Sequence, residues 1–419
     1  MARTLDVYLF EDLVGRLVQN DGGQMVFNYV DTWLTSGQAI PLSQSLPLRA
    51  KRFRSKECRA FFAGILPEES KREIIARNLG ISARNDYAML ERIGGECAGA
   101  VTFMPAGQPL SAHEPGYRML SQEELVAIIR ELPIRPLLAG EKGVRLSLAG
   151  AQDKVAIRVE NGEICLPLEN APSTHILKPA AERFEGVVYN EAFCMKLAGT
   201  AGLPTAPVEI GSVEGLDYLL VERYDRHHRV GPDGVQIVER LHQEDFCQAL
   251  GIVSEHKYQK EGGPSLKQCF GLIRSVSSAP VLDLRHLLDA VIFNWLVGNS
   301  DAHGKNFSLL YTGMGTGRVE TRLAPLYDIV CTVAYSELSG EMAMKIGDQY
   351  SSERVTPKDF EKLAEDAGLG KPLVKRRVSE VTETLLETLP EIDAGKPAAK
   401  KVASLICKRA ERAREALKL

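Results

Sequence analysis

An aspartate and an asparagine, Asp301 and Asn306, lie five residues apart in the polar segment NSDAHGKN. Kinase-type phosphoryl-transfer enzymes use such a pair: the aspartate accepts or orients the proton of the attacking hydroxyl, and the asparagine binds a metal ion on the phosphates. A further carboxylate, Asp328, follows a predicted hairpin whose glycine-rich turn is 312–317. Because Mg²⁺ prefers oxygen ligands, Asn306 and Asp328 form a plausible ligand pair. The spacing predicts phosphoryl transfer.

The upstream sequence contains further parts of such a site, in the order that kinases use. Lys178 ends the apolar strand THILK, and Glu191 follows on the one helix predicted in this region, which suggests a lysine–glutamate pair. The extended segment 219–224 (LLVERY) resembles a hinge whose backbone contacts adenine. The segment 146–154 (LSLAGAQDK) replaces the usual glycine-rich loop and is not a P-loop, which requires GxxxxGK[ST].

Two other kinds of site are weaker alternatives for the polar residues. A calcium loop starting at Asn299 would have His303 at its fifth position and Leu310 where a glutamate is required. The eight cysteines form no CxxC pair and the histidines no HExxH motif, so scattered reduced thiols are the expectation. A polar loop without catalytic function also remains open.

Length and composition are those of a multi-domain globular protein. The chain has 419 residues, of which 44% are hydrophobic and 25% charged, and its net charge of −4 argues neither for nor against a nucleic-acid partner. Asp6, Glu11 and Asp12 interrupt the N-terminal apolar residues, so no signal peptide is expected. The longest central apolar stretch is too short to span a membrane. We expect a cytoplasmic protein.

Hydrophobic patterns predict a β-rich start, a mixed middle and a helical end. The predicted strands are 4–9, 156–159, 175–177 and 218–222, with a turn at 20–23, an exposed hairpin at 227–236 and another near 307–323. The predicted helices are 67–79, 87–93, 121–132, 189–198 and a basic amphipathic one from Lys396; 105–118 is predicted as a linker. The basic stretch 49–59 is more typical of a solvated surface than of an anion site.

These motifs together resemble the HipA family, bacterial serine/threonine kinases that act as toxins of type II toxin–antitoxin pairs. The matching segments are RLSLAGAQDKVAI, HILKP, NEAFCMKLA, VERYDR, NWLVGNSDAHGKNFS and PLYDI, with GECAGAV and FFAGILPE in the N-terminal part. The resemblance implies an α+β, two-lobed, protein-kinase-like fold with an extra N-terminal β-containing module and a helical C-lobe. The implied segments are 1–105 (N-terminal module), 106–140 (linker and short helix), 141–225 (N-lobe) and 226–419 (C-lobe).

The resemblance also implies a role for individual residues. Asp301 is the catalytic base, Asn306 and Asp328 are Mg²⁺ ligands, and Lys178 binds the ATP phosphates. Ser147 is the serine that the family autophosphorylates, which withdraws the loop and inactivates the kinase. His303 braces the loop or acts on the γ-phosphate. The residues expected at the nucleotide are Ala149, Gly150, Ala151, Gln152, Asp153, Lys154, Lys178, Glu191, Glu222, Arg223, Tyr224, His303, Asn306, Tyr327 and Asp328.

The family implies particular partners. These are a HipB-like helix-turn-helix antitoxin, with which the kinase represses its operon, and a protein substrate such as an aminoacyl-tRNA synthetase, glutamyl-tRNA synthetase being the best-known case. Contact with DNA is expected mainly through the antitoxin, and no membrane partner is expected. Two alternatives remain: a small-molecule or lipid phosphotransferase, because the order D-x-H-x-x-N also occurs in phosphoinositide-kinase-like enzymes, and a non-catalytic co-repressor.

Overall fold

A computed structural model describes residues 3–110, 116–181, 183–231, 236–313 and 319–416. The strands are β1 (Arg3–Leu9), β2 (Asp12–Gln19), β3 (Met25–Tyr29), β4 (Phe53–Arg54), β5 (Val101–Pro105), β6 (Gly116–Met119), β7 (Val155–Glu160), β8 (Glu163–Leu168), β9 (His175–Pro179), β10 (Val208–Val213), β11 (Leu216–Glu222), β12 (Arg226–Val230), β13 (Gln236–Arg240), β14 (His242–Asp245), β15 (Ser308–Thr312), β16 (Glu320–Leu323), β17 (Glu341–Ile346) and β18 (Gln349–Ser351). The α-helices are α1 (Asp31–Leu34), α2 (Ser55–Gly64), α3 (Glu69–Leu79), α4 (Asp86–Ile93), α5 (Gln122–Glu131), α6 (Val187–Thr200), α7 (Phe246–Leu250), α8 (Leu266–Val276), α9 (Pro280–Val297), α10 (Pro357–Ala367), α11 (Lys371–Thr388) and α12 (Pro397–Ala416).

The chain forms two compact units, each assembled from separate segments. The first contains 1–179, 211–255 and 310–319, and the second contains 180–210, 256–309 and 320–419. These units do not coincide with the four segments predicted from the sequence, whose boundaries stay a prediction.

The first unit is built around two antiparallel sheets. One has the strand order β4-β3-β2-β1-β5, and the other the order β10-β11-β9-β7-β8-β6. In the first sheet Gly15 lies opposite Tyr29, and a Cβ on Gly15 would come within 2.4 Å of the Phe27 ring. Glycine is therefore required where this aromatic ring crosses the strand.

One hydrophobic core serves both sheets of the first unit. It extends from Phe27, Phe62 and Phe103 in the N-terminal part to Leu177 and Leu220 in the second sheet. Because these side chains share a core, the N-terminal module and the predicted N-lobe bury their apolar surface together.

The second unit is mainly helical. Its central helix, α9, begins with a proline at its first position and ends at Gly298, whose φ of +73° closes the helix with left-handed backbone geometry. The terminal helix α12 buries an apolar stripe that includes Val402, Ile406 and Ala410, and it packs against α6, α9 and α11. Within the described residues, no helix combines the length and apolar character needed to cross a membrane.

Most predicted elements are confirmed, with small shifts of their ends. Ser121 caps α5 by accepting a hydrogen bond from the Glu124 backbone N–H, as its sequence pattern predicts. In the basic stretch Arg49 pairs with the exposed Glu57, as expected for a solvated surface, whereas Arg59 pairs with the buried Asp86. The tips of two predicted hairpins, 232–235 and 314–318, and the linker residues 111–115 lie outside the described residues.

Three predictions about secondary structure are wrong. The linker predicted for 105–118 includes the start of β6, which pairs with β8 at the edge of a sheet. The helical end of the chain contains the additional hairpin β17–β18, and the strand β14 lies just before α7. β6 and β14 have four residues each and β18 has three, too few for a period-2 pattern to stand out, and β17 (EMAMKI) does not alternate strictly between polar and apolar residues.

Candidate active site

The loop after α9 carries Asp301 and Asn306, and its own hydrogen bonds fix its shape. At the start of this loop, which we call the catalytic loop (299–306), the Asn299 amide donates to Asn294 Oδ1 at 2.8 Å. The Ser300 backbone N–H donates to Thr332 Oγ1 at 2.8 Å. The Asn306 N–H donates to the His303 carbonyl at 2.9 Å, which closes a 3₁₀ turn. The backbone is therefore held at both ends.

Exposure differs sharply within this loop. His303 and Asn306 are only 8% and 7% exposed, whereas Asp301 is exposed. A rigid, mostly buried turn thus presents one solvent-accessible carboxylate. That arrangement suits a group that must take a proton from an incoming hydroxyl.

Tyr258, which is not among the residues predicted from the sequence, contacts the candidate base directly. Its hydroxyl donates to Asp301 Oδ1 at 2.7 Å, and its ring meets the His303 ring edge-on at 5.4 Å between centroids. The edge-on contact supports the prediction that His303 braces the loop. No sequence signal identifies Tyr258, because 43 residues separate it from Asp301.

Tyr327 connects the segment that carries Asn306 with the segment that carries Asp328. Its hydroxyl donates to the Lys305 carbonyl at 2.6 Å and lies 2.8 Å from Ser308 Oγ. Asn306 therefore lies between two residues that Tyr327 contacts, and Asp328 follows Tyr327 directly. Asp328 has φ = +58°, a left-handed geometry that costs a non-glycine residue about 1–2 kcal/mol. Strain of this kind is frequent at functional sites.

Anchors on both sides hold Asp328 in that geometry. Before it, Leu326 bonds through its N–H to the Pro204 carbonyl at 2.8 Å and through its carbonyl to the Ala206 N–H at 2.9 Å. After it, the Cys331 N–H donates to Asn190 Oδ1 at 2.9 Å, and Asn190 Nδ2 donates to the Cys331 carbonyl at 3.1 Å. Asn190 thus fixes the backbone after Asp328, although the sequence predicts only its neighbour Glu191 as a site residue.

The donor set fits a magnesium ion. Among the described residues there is no group of three or more His, Cys, Asp or Glu that could hold a metal. An Asn306 amide oxygen and an Asp328 carboxylate are both hard oxygen ligands, and Mg²⁺ in phosphoryl-transfer sites takes few protein ligands and completes its shell with water and phosphate oxygens. The chemistry of the predicted pair therefore matches the ion.

In the first unit, Ser147 is completely buried. Its exposed fraction is 0%, its hydroxyl donates to the Ile65 carbonyl at 3.0 Å, and its N–H donates to the Glu96 carbonyl at 2.9 Å. Both acceptors belong to the N-terminal part of the chain. In this conformation the hydroxyl has no access to solvent.

The remainder of the predicted nucleotide loop is also held by the N-terminal module. Lys154 folds back so that its Nζ donates to the Ala149 carbonyl at 2.8 Å, and Asp153 forms an ion pair with Lys71. Gly150, with φ = +100°, lies beside Lys154 Nζ, which a Cβ at this position would approach to 2.8 Å. Ala151 and Gln152 are half-buried. The lysine thus closes the loop on itself.

The predicted phosphate lysine and hinge lie on neighbouring strands. Lys178, 6% exposed in β9, pairs with Leu219 in β11, and Glu222 pairs with His175. The Tyr224 hydroxyl donates to Gln243. Glu191 is 1% exposed on α6 of the second unit, and its pairing with Lys178 stays a prediction.

Arg223 belongs to a buried ion network, defined here as Glu96, Arg223, Asp225, Arg226 and Arg240. Its guanidinium donates to Asp225 Oδ2 at 2.7 Å and to Glu96 Oε1 at 3.2 Å. Burial alone would raise the pKa of Glu96, but Arg226, Arg240 and Arg223 hold that pKa far below its usual range. The side chain of Arg223 is therefore engaged inside the protein, and its backbone N–H donates to the Thr174 carbonyl at 2.9 Å, so a contact of Arg223 with adenine stays a prediction.

Comparison with known proteins identifies the family. Residues 5–104 match the family model described as "HipA N-terminal domain", and residues 146–389 match the one described as "HipA-like C-terminal domain". A Sinorhizobium fredii protein named "Putative kinase Y4mE" is 46% identical over 93% of this chain and 92% of its own. The "Serine/threonine-protein kinase toxin HipA" of Shewanella oneidensis is 29% identical over 93% of this chain and 91% of its own.

A solved structure is similar over almost the entire chain. It is a Shewanella oneidensis HipA in a complex with HipB and operator DNA, with a TM-score of 0.83, 26% sequence identity and coverage of 99% of both chains. This match confirms the predicted α+β, protein-kinase-like class. The two family descriptions together span both compact units, and the chain therefore belongs to the HipA family of kinases.

Proposed function

We propose that the protein is an ATP- and Mg²⁺-dependent serine/threonine-protein kinase of the toxin type. The observation that carries this proposal is the exposed Asp301 on an otherwise buried loop, with Asn306 in the same loop and Tyr327 tying that loop to Asp328. Each of these residues has a fixed backbone, and positioning together with charge stabilisation accounts for most of the catalysis of phosphoryl transfer.

The proposed mechanism assigns one task to each group. Asp301 accepts the proton of the acceptor hydroxyl as the oxygen–phosphorus bond forms and the bond to ADP breaks. Asn306 and Asp328 would hold Mg²⁺, which when bound neutralises the negative charge of the phosphates. Lys178 contacts the α- and β-phosphates, and the 147–154 loop covers them with backbone N–H groups.

Tyr258 holds the catalytic base until an acceptor arrives. Its hydroxyl donates to Asp301 Oδ1, as the hydroxyl of a serine or threonine substrate must do. The bond is solvent-exposed, so exchanging Tyr258 for a substrate hydroxyl costs little free energy. Tyr258 therefore competes with the acceptor hydroxyl for the Asp301 carboxylate.

Self-phosphorylation at Ser147 is part of the same proposal. The buried serine must leave its contact with Ile65 before it can accept a phosphoryl group. The dianionic phosphate cannot return to a site with no solvent access, because burying an unpaired charge is far more costly than burying a hydroxyl. The modified loop would stay out, and nucleotide binding would be lost.

The proposed partners are suggested by a solved relative and by the resemblance to the family. The Shewanella oneidensis HipA that this chain resembles is in a complex with HipB and operator DNA. We propose a HipB-like antitoxin for this chain, with DNA contacted mainly through it, and an aminoacyl-tRNA synthetase as the protein substrate in the cytoplasm.

Intact mass and peptide mapping after incubation with Mg-ATP test the activity. We expect one added phosphate at Ser147 in the wild type and none in Asp301→Asn, with Asp348→Asn as the control because Asp348 is an exposed carboxylate outside the loop. A starting mass that already includes the phosphate requires prior treatment with phosphatase.

Two results would replace the proposal with its alternatives. Asp301-dependent transfer of labelled phosphate to a lipid or sugar, and not to protein, would identify a small-molecule phosphotransferase. Failure of the unphosphorylated protein to bind Mg-ATP would leave a non-catalytic co-repressor.

A further inference from the structure

A cavity of about 280 Å³ lies in the second unit, beside the end of α9 that precedes the catalytic loop. Its walls come from the last turn of α9, from α12 and from residues 352–355. None of the residues assigned above to ATP or Mg²⁺ lines it. It is therefore separate from the candidate active site.

One wall of this cavity is apolar. Trp295, Leu296, Val333, Val355 and Leu405 contribute to it, and Trp295 is held in place because its indole N–H donates to the Ser352 carbonyl at 2.8 Å. Apolar walls of this kind retain a ligand through its hydrocarbon part.

The rim of the cavity is basic. Lys408, Arg409 and Arg412 lie on one side of α12, and Glu353 is the one acidic residue in the lining. Arg409 is already engaged, because it donates to the Trp295 and Leu296 carbonyls at 2.8 and 3.2 Å and so caps the end of α9. In the ranges that the structure describes, no ion pair includes Lys408 or Arg412.

Lys408 and Arg412 are four residues apart on the helix, so their charges repel each other. An anion placed between them would remove this repulsion and gain charge-assisted hydrogen bonds. We propose that the cavity binds an amphipathic anion, a carboxylate attached to a short hydrocarbon chain, with the carboxylate at Lys408 and Arg412 and the chain along the apolar wall.

The position of the cavity couples this ligand to the catalytic loop, an effect that rests on the proposed kinase function. Leu296 lies two residues before Gly298, and Val333 follows the segment that carries Asp328. A Cβ at Gly298 would meet Val333 Cγ2 at 2.4 Å and Arg409 Nε at 3.0 Å. Val333 and Arg409, which line the cavity, therefore pack closely against the residue that precedes the loop, so a ligand that moves them also moves the start of the loop.

Fluorescence of Trp295 gives a direct test. The chain has two tryptophans, so a Trp33→Phe background leaves Trp295 as the only reporter. The probe is 8-bromooctanoate, whose bromine quenches tryptophan on contact. We expect saturable quenching, weakened about tenfold by Lys408→Ala or Arg412→Ala through loss of a charge-assisted hydrogen bond.

The controls separate the head group from the chain. Lys400→Ala, on α12 but outside the cavity, should leave binding unchanged, and neutral 8-bromooctan-1-ol should bind about tenfold more weakly. Quenching that does not saturate, or that is the same in the Lys408→Ala/Arg412→Ala double variant, would overturn the proposal.

The binding test does not depend on catalysis. Saturable quenching in a protein without any phosphotransfer would refute the proposed function and leave the site intact. In an active protein, octanoate should change the rate of Asp301-dependent transfer, and Arg412→Ala should raise the octanoate concentration that gives half of that change by about tenfold. An unchanged rate at saturating octanoate would refute the coupling.

Discussion

The buried ion network and the catalytic loop use the same kinds of polar residues in opposite ways. In the network, Glu96 is fully buried and Arg226 is 5% exposed, and their charges are satisfied by one another. In the catalytic loop, the backbone is satisfied by the protein, while Asp301 faces solvent. A cluster whose charges pair with one another stabilises the fold, whereas a cluster that leaves one charge accessible to solvent can act on a substrate.

The contrast explains why Arg223 and Asp301 should respond differently to change. Arg223 donates to Asp225, Glu96, Ser173 and the Cys97 carbonyl, so its loss leaves buried groups without partners. Asp301 is exposed, and its hydrogen bond with the Tyr258 hydroxyl is exposed as well. Substitutions in the buried ion network should therefore change mainly stability, and substitutions in the catalytic loop should change mainly activity.

The largest effect is expected at Asp301. Asp301→Asn should reduce phosphoryl transfer by on the order of 10²–10⁴-fold, because an amide cannot accept the acceptor's proton. The midpoint of thermal unfolding should stay within a degree or two, since the residue is exposed. Radiolabel transfer and calorimetry on the same preparation measure both quantities; a large loss of stability would remove the distinction between the two regions.

Arg226→Ala should have the opposite profile. It should lower the free energy of unfolding by about 3 kcal/mol, because Glu96 and Asp225 lose a buried partner. Arg229→Ala, in the same strand but in an exposed pair with Glu239, is the matched control and should cost less than about 1 kcal/mol. Urea unfolding compares the two variants, and equal effects would contradict the structural role of the network.

His242 and Glu244, next to the network in β14, should make stability depend on pH in opposite directions. Burial lowers the pKa of His242 from 6.5 to about 4, so its contribution to stability is lost as pH falls below 6.5. Burial raises the pKa of Glu244 from 4.5 to about 7, so its contribution is lost as pH rises above 4.5. Between pH 4.5 and 6.5 the two effects oppose each other.

Replacing His242 should leave the pH dependence that Glu244 contributes to stability without an opposing effect. In His242→Gln, the free energy of unfolding should fall more steeply with rising pH than in the wild type, by up to about 1.4 kcal/mol per pH unit. Urea unfolding at several pH values between 4.5 and 6.5 measures the two slopes. Parallel slopes would show that His242 does not titrate differently in the folded and unfolded protein.

The smallest effect is expected at Tyr258. Tyr258→Phe removes the hydroxyl that competes for Asp301 and retains the ring beside His303, so kcat/KM should rise about two- to tenfold. Tyr350→Phe is a control that changes a tyrosine without contact to Asp301. A fall in kcat at unchanged KM would instead identify Tyr258 as a residue that orients the base for chemistry.

Much of the candidate site could be predicted because its parts are local in sequence. Asp301 and Asn306 share one loop, and Asp328 and Lys178 each end a short motif with a characteristic neighbour. The residues that the prediction missed act across long sequence separations: Tyr258 is 43 residues from Asp301, and Asn190 is 141 residues from Cys331. A single sequence gives no signal for such contacts.

The fold shows the same difference between features that are local in sequence and features that depend on distant contacts. The capped helix at Ser121, the terminal amphipathic helix and the strands of the middle segment arise from local patterns of polarity. The burial of Arg223 was not predicted, because an arginine in a polar segment is usually exposed, and only the convergence of Glu96 and Asp225 makes its burial favourable.

The sequence by itself determined which chemical groups are present, their order along the chain and the family to which they point. Tertiary structure alone decided which of them remain accessible. Asp301 is exposed and Ser147 is buried against Ile65 although both are small polar residues in loops. The reason is physical: exposure depends on which distant segments pack over a residue, and that is settled only when the whole core forms.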